Sequence, residues 1–137
     1  MTTDDDARLL DRAIEVRGHA YAPYSGFNVG AAVLCSSGAI YAGCNVENSA
    51  YPSGICAERS AIAAAIAAGE RNIACLAVIA DSERPVSPCG MCRQVIAELA
   101  PRSRVLLANL RGERVETTPD ALLPGAFSAA DLLGAPR

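Results

Sequence analysis

The stretch ICAERSAIAAAIAAGERNIACLAVIA, residues 55–80, carries one helix followed by one buried strand. Alanine and other strong helix formers fill 55–70, and Gly69 stands where a helix closes. Ala74–Ala80 is a short unbroken apolar run, as expected of a strand covered on both faces. Downstream the pattern repeats. The turn DSERPVSP (81–88) leads to a helix over Cys89–Leu99 and then to a strand over Arg104–Asn109. Strands that alternate with helices need crossovers, so these two strands should lie parallel in a sheet covered by helices, an α/β architecture.

Only Leu110, Arg111 and Gly112 separate Asn109 from the next strand, Glu113–Thr117. A parallel crossover takes about a dozen residues or more, so this last strand must turn back antiparallel. The tail DALLPGAFSAADLL (120–133) supplies two short helical turns around Pro124 and Gly125. Upstream, Leu9, Leu10, Ala13, Ile14 and Arg17 recur at helical spacing behind Asp4, Asp5 and Asp6, which suit the positive end of a helix dipole. That predicts a first helix from Asp4 to His19. AYAPYSGF (20–27) is turn chemistry. Asn28–Cys35 and Ala39–Val46 read as two strands, and Ser36, Ser37 and Gly38 leave room only for a hairpin between them. The expectation is a five-stranded mixed sheet with an antiparallel last strand and helices on both faces, making one domain over 1–137 without repeat or linker.

The 51% hydrophobic content of 137 residues is enough for one real core. A net charge of -3 argues against a nucleic-acid binder, whose affinity needs clustered positive charge. All the basic charge is Arg. The densest run, Arg102, Arg104, Arg111 and Arg114, is interrupted by Glu113 and Glu116 and reads as a solvated strand face. No run approaches the roughly 18 apolar residues of a membrane span, and the acidic opening MTTDDDARLL lacks the charge of a secretory leader. A soluble cytoplasmic protein is expected. In a reducing compartment the six cysteines are thiols or metal ligands sooner than disulfides.

Cys56 opens one helix, and Cys89 and Cys92 lie in the first turn of another, so three thiols can converge where two helix starts meet. Unpaired backbone NH groups and the dipole at a helix start favour the thiolate, the form that binds metal. Three protein ligands on a tetrahedral zinc leave one position for water, whereas a structural site closes with four. A lone CxxC also occurs in thioredoxin-like redox sites and zinc ribbons. The flanks add specificity: Glu58 lies two residues beyond Cys56, close to the metal yet free to act on its water. Cys35, Cys44 and Cys75 sit within predicted strands as small buried thiols, and His19, the only histidine, ends the first helix away from any ligand pattern. Asn45 and Glu47 are two apart at a strand exit and can face the same side. Phe27 and Phe127, the only phenylalanines, fall in irregular segments and could face a ring.

Cys56-Ala57-Glu58 with Pro88-Cys89-Gly90-Met91-Cys92-Arg93-Gln94 resembles the zinc-dependent cytidine deaminases of the small homotetrameric, free-nucleoside type. YAPYSGFNVGAAV, NVENSAYPSGICAERSAI and LLPGAF look like the same family, so the likeness runs from Tyr21 to Phe127. It implies the three-layer cytidine-deaminase-like fold and one Zn²⁺ per subunit on Cys56, Cys89 and Cys92. Glu58 would move protons while cytidine and deoxycytidine become uridine and deoxyuridine with release of ammonia, a pyrimidine-salvage reaction. Arg59 would hydrogen-bond the ligand sulfurs, offsetting the one net negative charge that three thiolates leave on zinc. Phe27, Asn45, Glu47, Tyr51, Ala57 and Phe127 would contact the nucleoside, and Phe127, with Tyr51, would reach the site of a neighbouring subunit in a homotetramer. A cysteine as the first ligand resembles the free-nucleoside enzymes, and the antiparallel last strand agrees, since nucleic-acid deaminases place a helix between their last two strands. Met91, Asn28 and the pair Ser49-Ala50 depart from the family pattern beside the ligands and substrate residues without replacing any of them, and bear on fine specificity, not on the reaction. The rival readings are a deaminase of another cytosine compound such as blasticidin S, a structural zinc or redox module, and a nucleic-acid editing deaminase.

Overall fold

The computed structural model describes residues 3–134. The chain runs α1 (Thr3–Arg17), β1 (Val29–Cys35), β2 (Ile40–Cys44), a 3-10 turn (Tyr51–Ser53), α2 (Ala57–Ala67), β3 (Ile73–Ala80), α3 (Gly90–Leu99), β4 (Arg104–Asn109), β5 (Arg114–Thr117), α4 (Pro119–Leu122) and α5 (Ala129–Leu133). The five strands form one sheet in the order β2-β1-β3-β4-β5. β3 and β4 are parallel, and β1–β2, β1–β3 and β4–β5 are antiparallel. The expected architecture, with its reversed last strand, is therefore the observed one.

Alternation along the strands makes three layers. Ala31, Val33, Leu76, Val78, Val105 and Leu107 face α2, α3 and α4, where they meet Ala57, Ala61, Ile62, Ala65, Ile96 and Leu122. Ala32, Leu34, Cys75, Ala77, Ile79, Leu106 and Ala108 face the other way, against Leu9 and Ala13 of α1. Two glycines let the helices approach closely. A Cβ at Gly30 would lie 2.0 Å from the Ala13 carbonyl oxygen, and one at Gly43 would lie 2.4 Å from the Ala61 nitrogen. Only a bare backbone fits beneath either helix.

Several boundaries differ from the sequence reading. α1 ends at Arg17, because Gly18 and His19 turn away and their NH groups bond back to Glu15 and Val16. β2 stops at Cys44, where the chain leaves β1 and Val46 pairs with Tyr21 and Ile55 instead. Cys56 and Cys89 are N-caps with extended backbones, so α2 begins at Ala57 and α3 at Gly90. β1 and β5 each start one residue later than expected and β3 one earlier. The 3-10 turn carried no periodic signal at all.

The Arg-rich strand region is solvated, as expected, but Arg104 and Arg114 within it are paired. Arg104 grips Asp6 with two bonds of 3.0 and 2.9 Å and also holds Glu116, with Arg114 3.7 Å from Asp6. This ties the start of α1 to β4 and β5, and the Arg104 bonds hold the Asp6 carboxyl below its ordinary pKa.

Because α2 leads directly into β3 and α3 follows it, both helices begin at the carboxyl end of β3. Among the described residues no helix is long and apolar enough to cross a membrane.

Candidate metal centre and active site

The two helix starts bring Cys56, Cys89 and Cys92 together, all three sulfurs within 4.8 Å of one another. Cys56 Sγ and Cys89 Sγ are 3.7 Å apart. Tetrahedral zinc with Zn–S bonds of about 2.3 Å puts its sulfurs about 3.8 Å from each other, so the spacing fits that ion. Among the described residues no other grouping of three or more His, Cys, Asp or Glu side chains is placed to hold a metal, and no fourth side chain joins this one. His19 lies exposed beyond α1.

The sulfurs share charge unevenly. Hydrogen bonding from Cys92, with Arg59 and Cys89 adding to it, draws the Cys56 thiol down to about 5 against the opposing effect of burial. Cys92, which donates to Cys56 and is itself buried, is pushed up. The Arg59 Nη2 lies 3.9 Å from Cys56 Sγ, and its buried Nε has no hydrogen-bond partner. A guanidinium aimed at sulfur suits a ligand set carrying surplus negative charge.

Above the sulfurs opens a cavity of about 430 Å³. Of the expected site residues, Phe27, Asn45, Glu47, Tyr51, Cys56, Ala57, Glu58 and Cys89 line it. Glu58 is 5% exposed, and burial, followed by the charge on Cys56, raises its carboxyl above the ordinary range. Phe127 is not brought into the cavity of its own chain: it is exposed, and its carbonyl accepts a 2.9 Å bond from Gln94 Nε2. Tyr51 is 79% exposed at the rim, packed edge to face on Tyr24 with ring centres 6.2 Å apart.

Asn45 and Glu47 do share a side, but both are engaged with the 24–29 segment. Asn45 accepts from the Val29 NH and donates to the Phe27 carbonyl, each at 2.8 Å. Glu47 accepts from the NH groups of Tyr24 and Ser25 and from the Ser25 hydroxyl, which holds its carboxyl below the ordinary pKa. The Ser25 hydroxyl in turn accepts from the Phe27 NH at 3.1 Å. Sequence reasoning passed over Ser25, whose only signal was a hydroxyl inside a turn. It also passed over Asn109, a buried amide that donates to the carbonyls of Ser82 and Glu83 at 3.1 and 3.2 Å and so anchors the start of the loop running to Cys89. A polar residue closing an apolar strand was the available hint.

Fold and sulfur trio together define the class: an α/β protein whose three cysteines at two helix starts could hold one zinc. Comparison with known proteins agrees. Residues 3–108 match the cytidine and deoxycytidylate deaminase zinc-binding region. The chain is 54% identical over 129 residues to the cytidine deaminase of Sporosarcina psychrophila, covering 93% of this chain and 95% of that one. It is 49% identical over 129 residues to the cytidine deaminase of Halalkalibacterium halodurans, covering 93% and 98%. The crystal structure of cytidine deaminase from Burkholderia pseudomallei superposes with a TM-score of 0.87 at 45% identity, over 93% of this chain and 100% of that one. The chain belongs to the cytidine and deoxycytidylate deaminase zinc-binding family, as its motifs led one to expect.

Proposed function

We propose that this protein is a hydrolase of the C4 amino group of free cytosine nucleosides, converting cytidine and deoxycytidine to their uracil counterparts with release of ammonia. The lining of the cavity carries this reading. It places two carboxylates, Glu47 and Glu58, with cysteine sulfur, aromatic and aliphatic groups, and it includes no Lys, Arg or His. A neutral nucleoside suits that lining, whereas a phosphate monoester would meet carboxylates without a cation. The named relatives are cytidine deaminases, in line with the same substrate.

Cys56, Cys89 and Cys92 would hold the zinc. When bound, zinc supplies a Lewis acid that brings the pKa of a water from about 15.7 towards about 7. Glu58 takes a proton from the attacking water and delivers it to N3 of the pyrimidine as the C4–O bond forms. It then carries the second proton from the C4 hydroxyl to the amino nitrogen, so the C4–N bond breaks and ammonia leaves. Burial of Glu58, only 5% exposed in the wall of the cavity, limits competition from bulk water for those protons. Phe27 packs on the ring. Ala57 lies beside it at the first residue of α2. Glu47, with three of its acceptor positions filled by the 24–25 turn, keeps acceptor capacity for a sugar hydroxyl, and the second Nδ2 hydrogen of Asn45 can donate to another.

The whole chain, 1–137, acts as one catalytic domain, and four copies assemble with shared sites. Supporting this, Tyr51, Met91, Phe127, Leu132 and Leu133 leave large apolar side chains 60% or more exposed, surface that contact between copies would cover. Phe127, outside its own cavity, is free to complete a neighbour's. A trio of thiolates suits the reducing cytoplasm.

Glu58→Gln tests the reading. The variant keeps one zinc per chain and its fold, and turnover of cytidine falls by about 10²–10⁴-fold or more. Undiminished turnover in a zinc-loaded variant would remove Glu58 from the reaction.

A further inference from the structure

Arg93 and Gln94 follow the last cysteine directly, and the reaction as described gives neither a role. Arg93 Nε donates to the Pro88 carbonyl at 2.8 Å, Nη2 to the Ser87 hydroxyl at 2.7 Å, and Nη1 to the Leu122 carbonyl at 2.6 Å. One guanidinium therefore joins the two residues before Cys89 to the end of α4. Gln94 reaches the same tail further on, at the Phe127 carbonyl. The loop from Asp81 to Cys89 has no ladder partner, and Cys89 is the exposed member of the sulfur trio. Its start is held by Asn109 and its end by Arg93.

We propose that Arg93 is a positioning residue for the zinc site, fixing Cys89 through Pro88 and Ser87 and locking that loop to the C-terminal segment 122–127 through Leu122. The inference rests on Cys89 being a zinc ligand. Three acceptors in three directions match the planar fork of a guanidinium, and an ammonium on a flexible stem cannot reach all three at once. Such outer partners orient the ligand they support, and losing one costs about 10- to 100-fold in metal affinity. The same tie couples the two halves of the site, because any movement of α4 that carries Leu122 pulls on the residue next to Cys89. Gln94 serves the other end: it sets the path of the chain at Phe127 without touching the cysteine loop.

The test is zinc release to a colorimetric chelator, followed at a temperature well below unfolding, on the full-length zinc-loaded protein. Arg93→Ala releases zinc about 10- to 100-fold faster than the parent, and Arg93→Lys falls between them. Ser87→Ala, which removes one acceptor and disturbs folding least, moves the rate in the same direction by a smaller factor. It carries the test should Arg93→Ala fail to fold. Gln94→Ala leaves zinc release unchanged and raises KM for the nucleoside. Arg104→Ala, whose bonds lie on the opposite sheet face, lowers the melting temperature and leaves zinc release unchanged. Cys89→Ser separates the two claims. If it retains zinc like the parent, the ligand set is wrong. If it loses zinc while Arg93→Ala and Ser87→Ala release it at the parental rate, the ligand set stands and the positioning role is overturned.

Discussion

Replacing Gly43 with alanine should damage the active site from beneath it. The added Cβ would lie 2.4 Å from the Ala61 nitrogen and 2.7 Å from the Ser60 carbonyl carbon and Cβ. Ordinary contact needs about 3.4 Å, so α2 must withdraw by about 1 Å, since no flexible side-chain end is there to give way. Overpacking of this kind costs about 1–3 kcal/mol, and backbone contact places Gly43 at the upper end. With an unfolding entropy of about 2.1 cal/mol/K per residue, 3 kcal/mol lowers the melting temperature by about 10 °C. Glu58 and Cys56 sit one turn before Ser60 and Ala61, so the same shift moves the proton carrier and one ligand away from Cys89 and Cys92. A misplacement of about 1 Å is worth about 10²-fold in rate. Calorimetry and steady-state kinetics on zinc-loaded protein measure both effects, with Gly18→Ala as control, where the new Cβ meets only the Glu15 carbonyl at 3.4 Å. Parental melting and kcat in Gly43→Ala would refute the close approach. A lowered melting temperature with full kcat would show that the approach is real but does not place the site.

Ser25→Ala removes a donor from Glu47 and an acceptor from the Phe27 NH; with a hydrogen bond to a charged group worth about 1.5–3 kcal/mol, KM for cytidine should rise about 10-fold or more while kcat changes little. The Asp6 carboxyl, depressed by Arg104, contributes stability that is complete above its unfolded pKa of about 3.9 and disappears as pH falls through the lower folded value. Melting temperatures of Asp6→Asn should accordingly be lower than the parent's at neutral pH, with the gap narrowing from about pH 4 downward and closing only below the depressed folded value. Ile62→Ala, at a side chain 1% exposed on the core-facing side of α2, should cost about 2–5 kcal/mol in denaturant unfolding. Removing zinc with a strong chelator should abolish turnover, and adding back one equivalent per chain should restore it.

The sheet was legible because its signals were local. The helix between the two apolar runs 74–80 and 104–109 made β3 and β4 parallel, and the three-residue link after Asn109 made β5 antiparallel, as observed, whereas the antiparallel pairing of β1 with β3 had no local signal. The sulfur trio was legible for a similar reason, since cysteines at two helix starts converge once both helices begin at the same sheet edge. What stayed hidden depends on distance in space with no periodic trace. The grip of Arg104 on Asp6 joins residues 98 apart in the chain, and the engagement of Asn45 and Glu47 with the 24–29 segment depends on the path of a turn. The clamp of Arg93 reaches 29 residues ahead to Leu122. Helix ends at Cys56 and Cys89 were misplaced by one residue for a different reason: a cap residue has extended backbone although its carbonyl already accepts a helical bond.

The most direct measurement compares cytidine, deoxycytidine and deoxycytidine 5′-phosphate as substrates of the zinc-loaded protein, following ammonia and the uracil product together. Both nucleosides should give one ammonia per uracil nucleoside formed, and the phosphate should be slower in kcat/KM by about 100-fold or more, as expected of a cavity with two carboxylates and no cation in its lining. Failure to deaminate either nucleoside, or equal turnover of the phosphate, would contradict the account.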